Sequence, residues 1–174
     1  MKNSIKDLII IKDNFFEENI YKEILFDISR LKFENRFTTV HEDDKNIYQK
    51  IYFNVELNKN HFAVKEVKKI LKEFGYNLKS HHHGYYLSTK HTEATPHQDT
   101  NNLNCFIYLK GLDLLNSGTG FYDLINNKYV LNRHIGFREN RAIIFDSKIF
   151  HASLQFNENC GTRYAMANFF NYEE

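Results

Sequence analysis

Between residues 76 and 171 the sequence repeats one pattern: a short β-branched or aromatic run, then a cluster of turn-forming residues. The runs are Leu78 to Ser88, Thr95 to Gln98, Leu103 to Lys110, Thr119 to Asp123, Lys128 to Leu131, Ala142 to Phe145, His151 to Phe156 and Arg163 to Asn171. Clusters such as Leu115-Asn116-Ser117-Gly118, Ile125-Asn126-Asn127 and Asn157-Glu158-Asn159-Cys160-Gly161 separate several of them. These residue types suit pleated strands and tight turns. No helical period runs through this stretch. Eight short strands at this spacing predict a sandwich or jelly roll, not an α/β fold.

The first 75 residues read differently. Ile5 to Ile11 is a short β-branched run ended by Lys12-Asp13-Asn14. From Phe16 to Leu31 the apolar positions Ile20, Ile24, Leu25, Ile28 and Leu31 recur at helical spacing, which predicts an amphipathic helix. Phe37 to Val40 and Ile47 to Val55 look extended, on either side of the polar stretch His41-Glu42-Asp43-Asp44-Lys45-Asn46. A second helix is expected from about His61 to Phe74, with Val64, Val67, Ile70 and Leu71 on one face and Gly75 past its end. Lys65, Lys68, Lys69 and Lys72 line the other side, as a solvated face does. The expectation is one domain over 1–174, mainly β with flanking helices. Residues 1–75 supply helix and strand support, and 76–172 form the β core.

Charge and cysteine content exclude some functions. Lys and Arg total 23 against 22 Asp and Glu, so a general polyanion surface is not expected and nucleic acid is disfavoured as a partner. No apolar run approaches the ~20 residues of a membrane span. The charged N-terminal residues are not expected to form a signal peptide, and Cys105 and Cys160 are not expected to make a disulfide framework. A reducing, cytoplasmic setting is the expectation.

The chemistry rests on histidine, aspartate and arginine. A His-x-Asp pair on a strand end puts both side chains on one face. With a second histidine it makes the 2-His-1-carboxylate set, which leaves three positions open on iron(II). The pair alone is weak evidence, since nine His and nine Asp give roughly half a match by chance. Two occur. His41-Glu42-Asp43 lies in a charged connection, whereas His97-Gln98-Asp99 follows the only proline, Pro96, and leads into the apolar run from Leu103. Pro96 biases Thr95 toward extended geometry. Two distal histidines compete for the third position: His134, among Asn132, Arg133 and Arg138, and His151, after Ala142-Ile143-Ile144-Phe145 and the turn Asp146-Ser147-Lys148. Arg163 opens the last apolar run, and an arginine inside a β core needs an anion. Guanidinium pairs with carboxylate through two parallel hydrogen bonds. A metal beside such an arginine asks for a small chelating ligand with a distant carboxylate, which describes 2-oxoglutarate.

His97-x-Asp99, His151 and Arg163 resemble the prolyl-4-hydroxylase-like branch of the iron(II)/2-oxoglutarate dioxygenases. The similarity spans roughly residues 76 to 172 and includes Asn140-Arg141-Ala142-Ile143-Ile144-Phe145-Asp146-Ser147 and Gly161-Thr162-Arg163-Tyr164-Ala165. Ser117-Gly118-Thr119-Gly120-Phe121 is similar to the family's turn and strand after the first ligands. The resemblance implies a double-stranded β-helix (jelly-roll, cupin-like) core, with iron(II) held by His97, Asp99 and His151. It implies 2-oxoglutarate chelating the iron, with its far carboxylate on Arg163 and Tyr108, oxygen in the remaining site, and ascorbate as an auxiliary reductant. The reaction implied is hydroxylation coupled to decarboxylation of 2-oxoglutarate to succinate. In two places the chain departs from the branch. Ala165 stands where many relatives carry a Ser or Asn that also contacts 2-oxoglutarate. Tyr85-Tyr86-Leu87-Ser88-Thr89-Lys90 does not reproduce the spacing of the collagen-type enzymes.

Other residues are read more plainly. His81-His82-His83 is expected to be a solvated strand segment, because consecutive strand residues point to opposite faces and cannot converge on one ion. Tyr86 is the candidate substrate contact, Phe169 is expected to line the barrel, and the cysteines are expected to be ordinary. The substrate is a peptidyl proline, another protein side chain or a small metabolite. A non-catalytic, cupin-like metal- or ligand-binding or sensing domain is the competing class.

Overall fold

The computed structural model describes residues 9–38, 50–88, 95–114, 116–155 and 162–173. Its elements are β1 (Ile9–Lys12), α1 (Glu18–Arg30), β2 (Glu34–Thr38), β3 (Lys50–Glu56), α2 (Phe62–Glu73), β4 (Leu78–Ser88), β5 (Leu103–Lys110), β6 (Ser117–Ile125), β7 (Lys128–Gly136), β8 (Arg141–Asp146), β9 (Phe150–Gln155) and β10 (Arg163–Tyr172). The strands form a seven-stranded sheet, β1-β8-β5-β10-β4-β3-β2, and a three-stranded sheet, β7-β6-β9. Neighbours in both are antiparallel. This is the mainly β, jelly-roll architecture expected from the strand pattern, and no helix falls between residues 76 and 171 among those described.

The central strands of the large sheet are buried on both faces, and side-chain alternation assigns each face its own job. On β5, Leu103, Cys105, Ile107 and Leu109 pack with Ala142, Ile144, Met166 and Phe170 against Ile24 and Ile28 of α1 and Val64, Val67 and Leu71 of α2. Each large aliphatic side chain buried here contributes about 1.5–3 kcal/mol. The alternate positions turn the other way. Phe106, Tyr108, Ile143, Phe145 and Ala165 meet Phe121 and Ile135 of the small sheet in a second core. The two helices therefore buttress one side of the large sheet, and the site face is the other.

Local chemistry sets several boundaries. β6 and β7 join through Asn126 and Asn127 at φ 49° and 58°, with Ile125 paired to Lys128, a two-residue hairpin of the type that asparagine favours. Gly118 permits a close approach, since a Cβ there would lie 1.9 Å from Ile135 O. Asn140, at φ 55°, ties the N-terminal segment to the β7–β8 turn. Its Oδ1 accepts from Phe16 N and its Nδ2 donates to Phe16 O, both at 2.9 Å, and its own N donates to Tyr108 O at 2.8 Å. Asp13 adds ion pairs to Arg138 and Arg141, and the Arg141 hydrogen bond holds its carboxyl below the ordinary range despite some desolvation.

Three expectations need correction. The segment from Thr95 to Gln98 is not a strand of its own but a single bridge, His97 to His151. His134 lies within β7, half-buried, not in a polar connection. The histidine run is not uniformly solvated. His81 is exposed at a bulge where Phe169 pairs with His82 and Phe170 with Ser80, and His82 points to the site face. His83 is 2% exposed under the helices, with Nδ1 3.0 Å from Asn168 Oδ1. Of the lysines on α2, Lys65, Lys69 and Lys72 are exposed as expected and Lys68 is half-buried. The stretch 41–46 and Cys160 lie outside the described residues. No described helix is long and apolar enough to cross a membrane.

Two stability experiments follow. Asn140→Ala removes two side-chain hydrogen bonds and leaves a left-handed backbone position without its preferred residue. It should lower unfolding free energy by about 2–4 kcal/mol in denaturant titrations. Burial drives the His83 pKa from near 6.5 down to about 4. The unfolded chain therefore binds the proton first, and stability is full above pH 6.5 and declines as pH falls toward 4. His83→Gln should flatten that slope, measured as melting temperature against pH.

Candidate metal centre

The site begins with backbone pairing. His97 N donates to His151 O at 3.1 Å and His151 N donates to His97 O at 3.0 Å. Directly paired residues share a face, so the two rings lie side by side with centroids 4.7 Å apart. Asp99, two residues beyond His97, returns to the same side. The segment is stitched down further on. Asp99 N donates to Ser147 O at 3.0 Å, Ser147 N to Asn102 O at 3.1 Å, and Lys148 Nζ to Asp99 O at 2.7 Å. The turn Asp146-Ser147-Lys148 thus clamps the backbone that carries Asp99.

The side chains converge. The ligand atoms of His97, Asp99 and His151 all lie within 4.8 Å of one another, and this is the one such group among the described residues. His151 Nε2 is 3.2 Å from Asp99 Oδ2, and His97 Nε2 is 3.8 Å from Asp99 Oδ1. His97 Nδ1 lies 2.9 Å from Thr95 O and His151 Nδ1 lies 2.9 Å from Ile149 O. A carbonyl only accepts, so each Nδ1 carries a hydrogen, which turns each Nε2 toward the carboxylate. His151 Nε2 is buried without an aligned hydrogen bond. Two imidazole nitrogens and a carboxylate converging at this range can share one cation, and that donor set suits a divalent transition metal. His134, the other distal histidine, is not in the group.

Asn104 holds the carboxylate in place. Its Nδ2 donates to Asp99 Oδ2 at 2.7 Å, while its Oδ1 accepts from Asn101 Nδ2 at 2.8 Å. Burial alone would raise the Asp99 carboxyl, but His151, Asn104 and His97 outweigh it and keep it below the ordinary range. Phe145 and Phe106 close the apolar side of His151, at ring distances of 4.8 and 5.6 Å. His97 faces the opening, with its side chain 45% exposed.

Arg163 and Tyr108 lie on the inner face of the large sheet, opposite the small sheet whose β9 carries His151. Arg163 is 5% exposed. Its guanidinium donates to the Ser117 and Ser153 hydroxyls and to Leu154 O. Those partners orient it, and none of the three carries a negative charge. Tyr108 Oη lies 2.8 Å from Thr119 Oγ1 and donates to Ile135 O at 3.2 Å, with its ring stacked on Phe137. Burial pushes the Tyr108 hydroxyl up to about 12, so it remains a phenol. Tyr85 belongs to the helix-side core, while Tyr86 is half-buried on the site face. Phe169 lines the interior as expected, 5.7 Å from the Phe106 ring.

Sequence reasoning missed Asn104, Ser153, Ser117 and Thr119 as site residues. Asn104 had a signal, since it is a lone amide at an inward position of an apolar strand. The hydroxyls had little, because they sit on strands of the small sheet whose pairing with the large one is not local.

No family model matches the sequence, and no curated protein matches it. Solved structures do match in fold. A prolyl hydroxylase from Trichoplax adhaerens, in complex with a hypoxia inducible factor oxygen degradation domain peptide, superposes with a TM-score of 0.63 at 14% identity, covering 94% of this chain and 83% of that one. HygX from Streptomyces hygroscopicus, with nickel, 2-oxoglutarate and hygromycin B bound, gives 0.63 at 10% identity, covering 94% and 82%. A Pseudomonas putida prolyl-4-hydroxylase gives 0.59 at 8%, covering 95% and 93%. The chain shares the jelly-roll fold of these proteins.

Asn104 should matter for metal affinity although it contacts no metal. Asn104→Ala is expected to weaken binding of a divalent ion about ten- to a hundredfold, and Asp99→Ala to abolish it. Calorimetric titration with iron(II) under anaerobic conditions reads both.

Proposed function

We propose that this protein is a non-haem iron(II), 2-oxoglutarate-dependent oxygenase that hydroxylates its substrate. The observation that carries the reading is a His97–Asp99–His151 ligand set beside a buried Arg163 that reaches across to β9, the strand that carries His151. His97 Nε2, His151 Nε2 and an Asp99 oxygen would hold the metal, and their donor chemistry fits iron(II). Bound iron supplies oxygen activation, which couples 2-oxoglutarate, O2 and a substrate C–H to succinate, carbon dioxide and a C–OH. One oxygen atom enters succinate and the other enters the product.

The chain's own part is to seat, orient and exclude. Arg163 offers its charge to the distal carboxylate of 2-oxoglutarate, held in aim by Ser117 and Ser153. An arginine–carboxylate pair in a dry interior is far stronger than one in water. Tyr108 adds a hydroxyl by re-aiming it from Ile135 O. Ala165 and Ala167 follow Arg163 at the next two inward positions of β10, where small side chains leave room for a five-carbon acid between arginine and metal. Ala165 offers no hydroxyl, and Thr119, Ser117 and Ser153 bring hydroxyls from the opposite sheet instead. Phe106, Phe145 and Phe121 keep water from the apolar side of His151.

Anaerobic addition of 2-oxoglutarate to the iron(II) protein should produce a metal-to-ligand charge-transfer absorption. Arg163→Met should weaken 2-oxoglutarate binding by about a hundredfold or more while iron(II) still binds. Iron-dependent succinate formation separates the oxygenase from a binding or sensing domain, which would bind ligand and make none.

A further inference from the structure

A second polar group shares the inner face, on β3 and β4. Asn54 pairs with Tyr86 and Glu56 with Gly84. Across the next strand boundary Tyr86 pairs with Ala165, Gly84 with Ala167 and His82 with Phe169. Directly opposed residues share a face, so Asn54, Glu56, His82 and Tyr86 look across the same trough as Arg163. Gly84 lets the Tyr86 ring lie down on the sheet, since a Cβ there would sit 3.1 Å from Tyr86 Cε2. The tyrosine hydroxyl thereby comes within 3.3 Å of His82 Nε2, and Glu56 Oε1 lies 3.6 Å from His82 Nδ1. His82 connects to the metal ligands through rings: 5.6 Å to Phe169, 5.7 Å from there to Phe106, and 5.6 Å on to His151. Asn54 is 9% exposed, and its Oδ1 is buried with no hydrogen-bond partner among the described residues.

We propose that Asn54, Glu56, His82 and Tyr86 form the wall that recognises the substrate, and that the substrate presents an ammonium group to it. The assignment rests on the oxygenase reading above and names its substrate class. The wall is rich in acceptors. Glu56 accepts only and brings negative charge, and a buried amide oxygen without a donor is costly. Glu56 beside Nδ1 favours the hydrogen on that nitrogen, so Nε2 accepts the Tyr86 hydroxyl, whose oxygen is itself an acceptor. Three acceptor groups match the three donors of an ammonium. A carboxylate head would meet like charge at Glu56. Small Ala165 and Ala167 on β10 leave the carbon chain of an amine free to run toward the metal, across the two strand spacings, roughly 10 Å, between β4 and β5, whose Asn104 holds Asp99. A free alkylamine and a lysine side chain carry the same head group.

The test uses four probes: butylamine, butanol, butyrate and Nα-acetyl-lysine amide. Saturation-transfer NMR with the metal-free full chain measures binding without turnover. Succinate formation by the iron(II) protein measures stimulation. At least one amine should saturate and bind about fivefold or more tightly than butanol and butyrate, with the tighter amine naming the source as free or peptidyl. The isosteric Glu56→Gln, at an exposed carboxylate, should weaken that amine about five- to tenfold, and Asn54→Ala should do likewise. Equal binding of all heads, preference for butyrate, no probe binding, or an unchanged amine affinity in Glu56→Gln would overturn the proposal. The charge-transfer absorption with 2-oxoglutarate is recorded on the same preparation. If it appears and amine selectivity does not, the substrate assignment alone fails. If it never appears, the oxygenase reading fails and takes the assignment with it.

Discussion

Two backbone hydrogen bonds between His97 and His151 decide where this site can form. They convert residues far apart in sequence into a directly opposed pair, and period-two geometry then delivers Asp99 to the same spot. Everything nearby protects that pairing. Ser147 and Lys148 clamp the backbone around Asp99, Asn104 fixes its carboxylate, and two carbonyls fix the imidazole tautomers. Such preorganisation matters because three ligand groups held together without a metal repel or idle, and the fold bears that cost in advance.

The large sheet makes this affordable. Its central strands bury both faces, and the helix side supplies the apolar burial that stabilises the molecule. The inner side is thereby released for polar groups, including a buried guanidinium, the His97–Asp99–His151 cluster and an amide oxygen without a donor among the described residues. β10 shows the division most clearly. Tyr164, Met166, Asn168 and Phe170 face the helices, and Arg163, Ala165, Ala167 and Phe169 face the site. On β4 ordinary alternation sends His82 and His83 to opposite environments, and the bulge at His81 shifts the phase beyond it, so that Leu78 faces the helices.

Much of this was legible in the chain. Strand runs from Leu78, Leu103, Ala142 and Arg163 had their observed positions within a residue or two, and both helices matched their apolar periods. His97, Asp99 and His151 were found because His-x-Asp after a lone proline and a histidine after a buried strand are local patterns. The helix-side burial of His83 was missed because its neighbours come from β10 and the helices. The short bridge at His97 was overread as a strand, since only one residue of that run finds a partner. Ser153 and Ser117 around Arg163 were invisible for a related reason: they come from the opposite sheet.

The sequence by itself determined the strand and helix periods, the apolar face of each element and the identity of the three side chains that converge in the candidate metal centre. These follow from residue type and spacing over a few positions, where backbone geometry is fixed by local sterics and hydrogen bonding. Only the tertiary structure decided which inward residues meet. Register between strands is set jointly by every pair along them, and a single bulge reverses which face a side chain serves. That is why the arginine's hydroxyl partners depend on the two sheets closing upon each other, and the acceptor groups on β3 and β4 on the register of those strands within the large sheet.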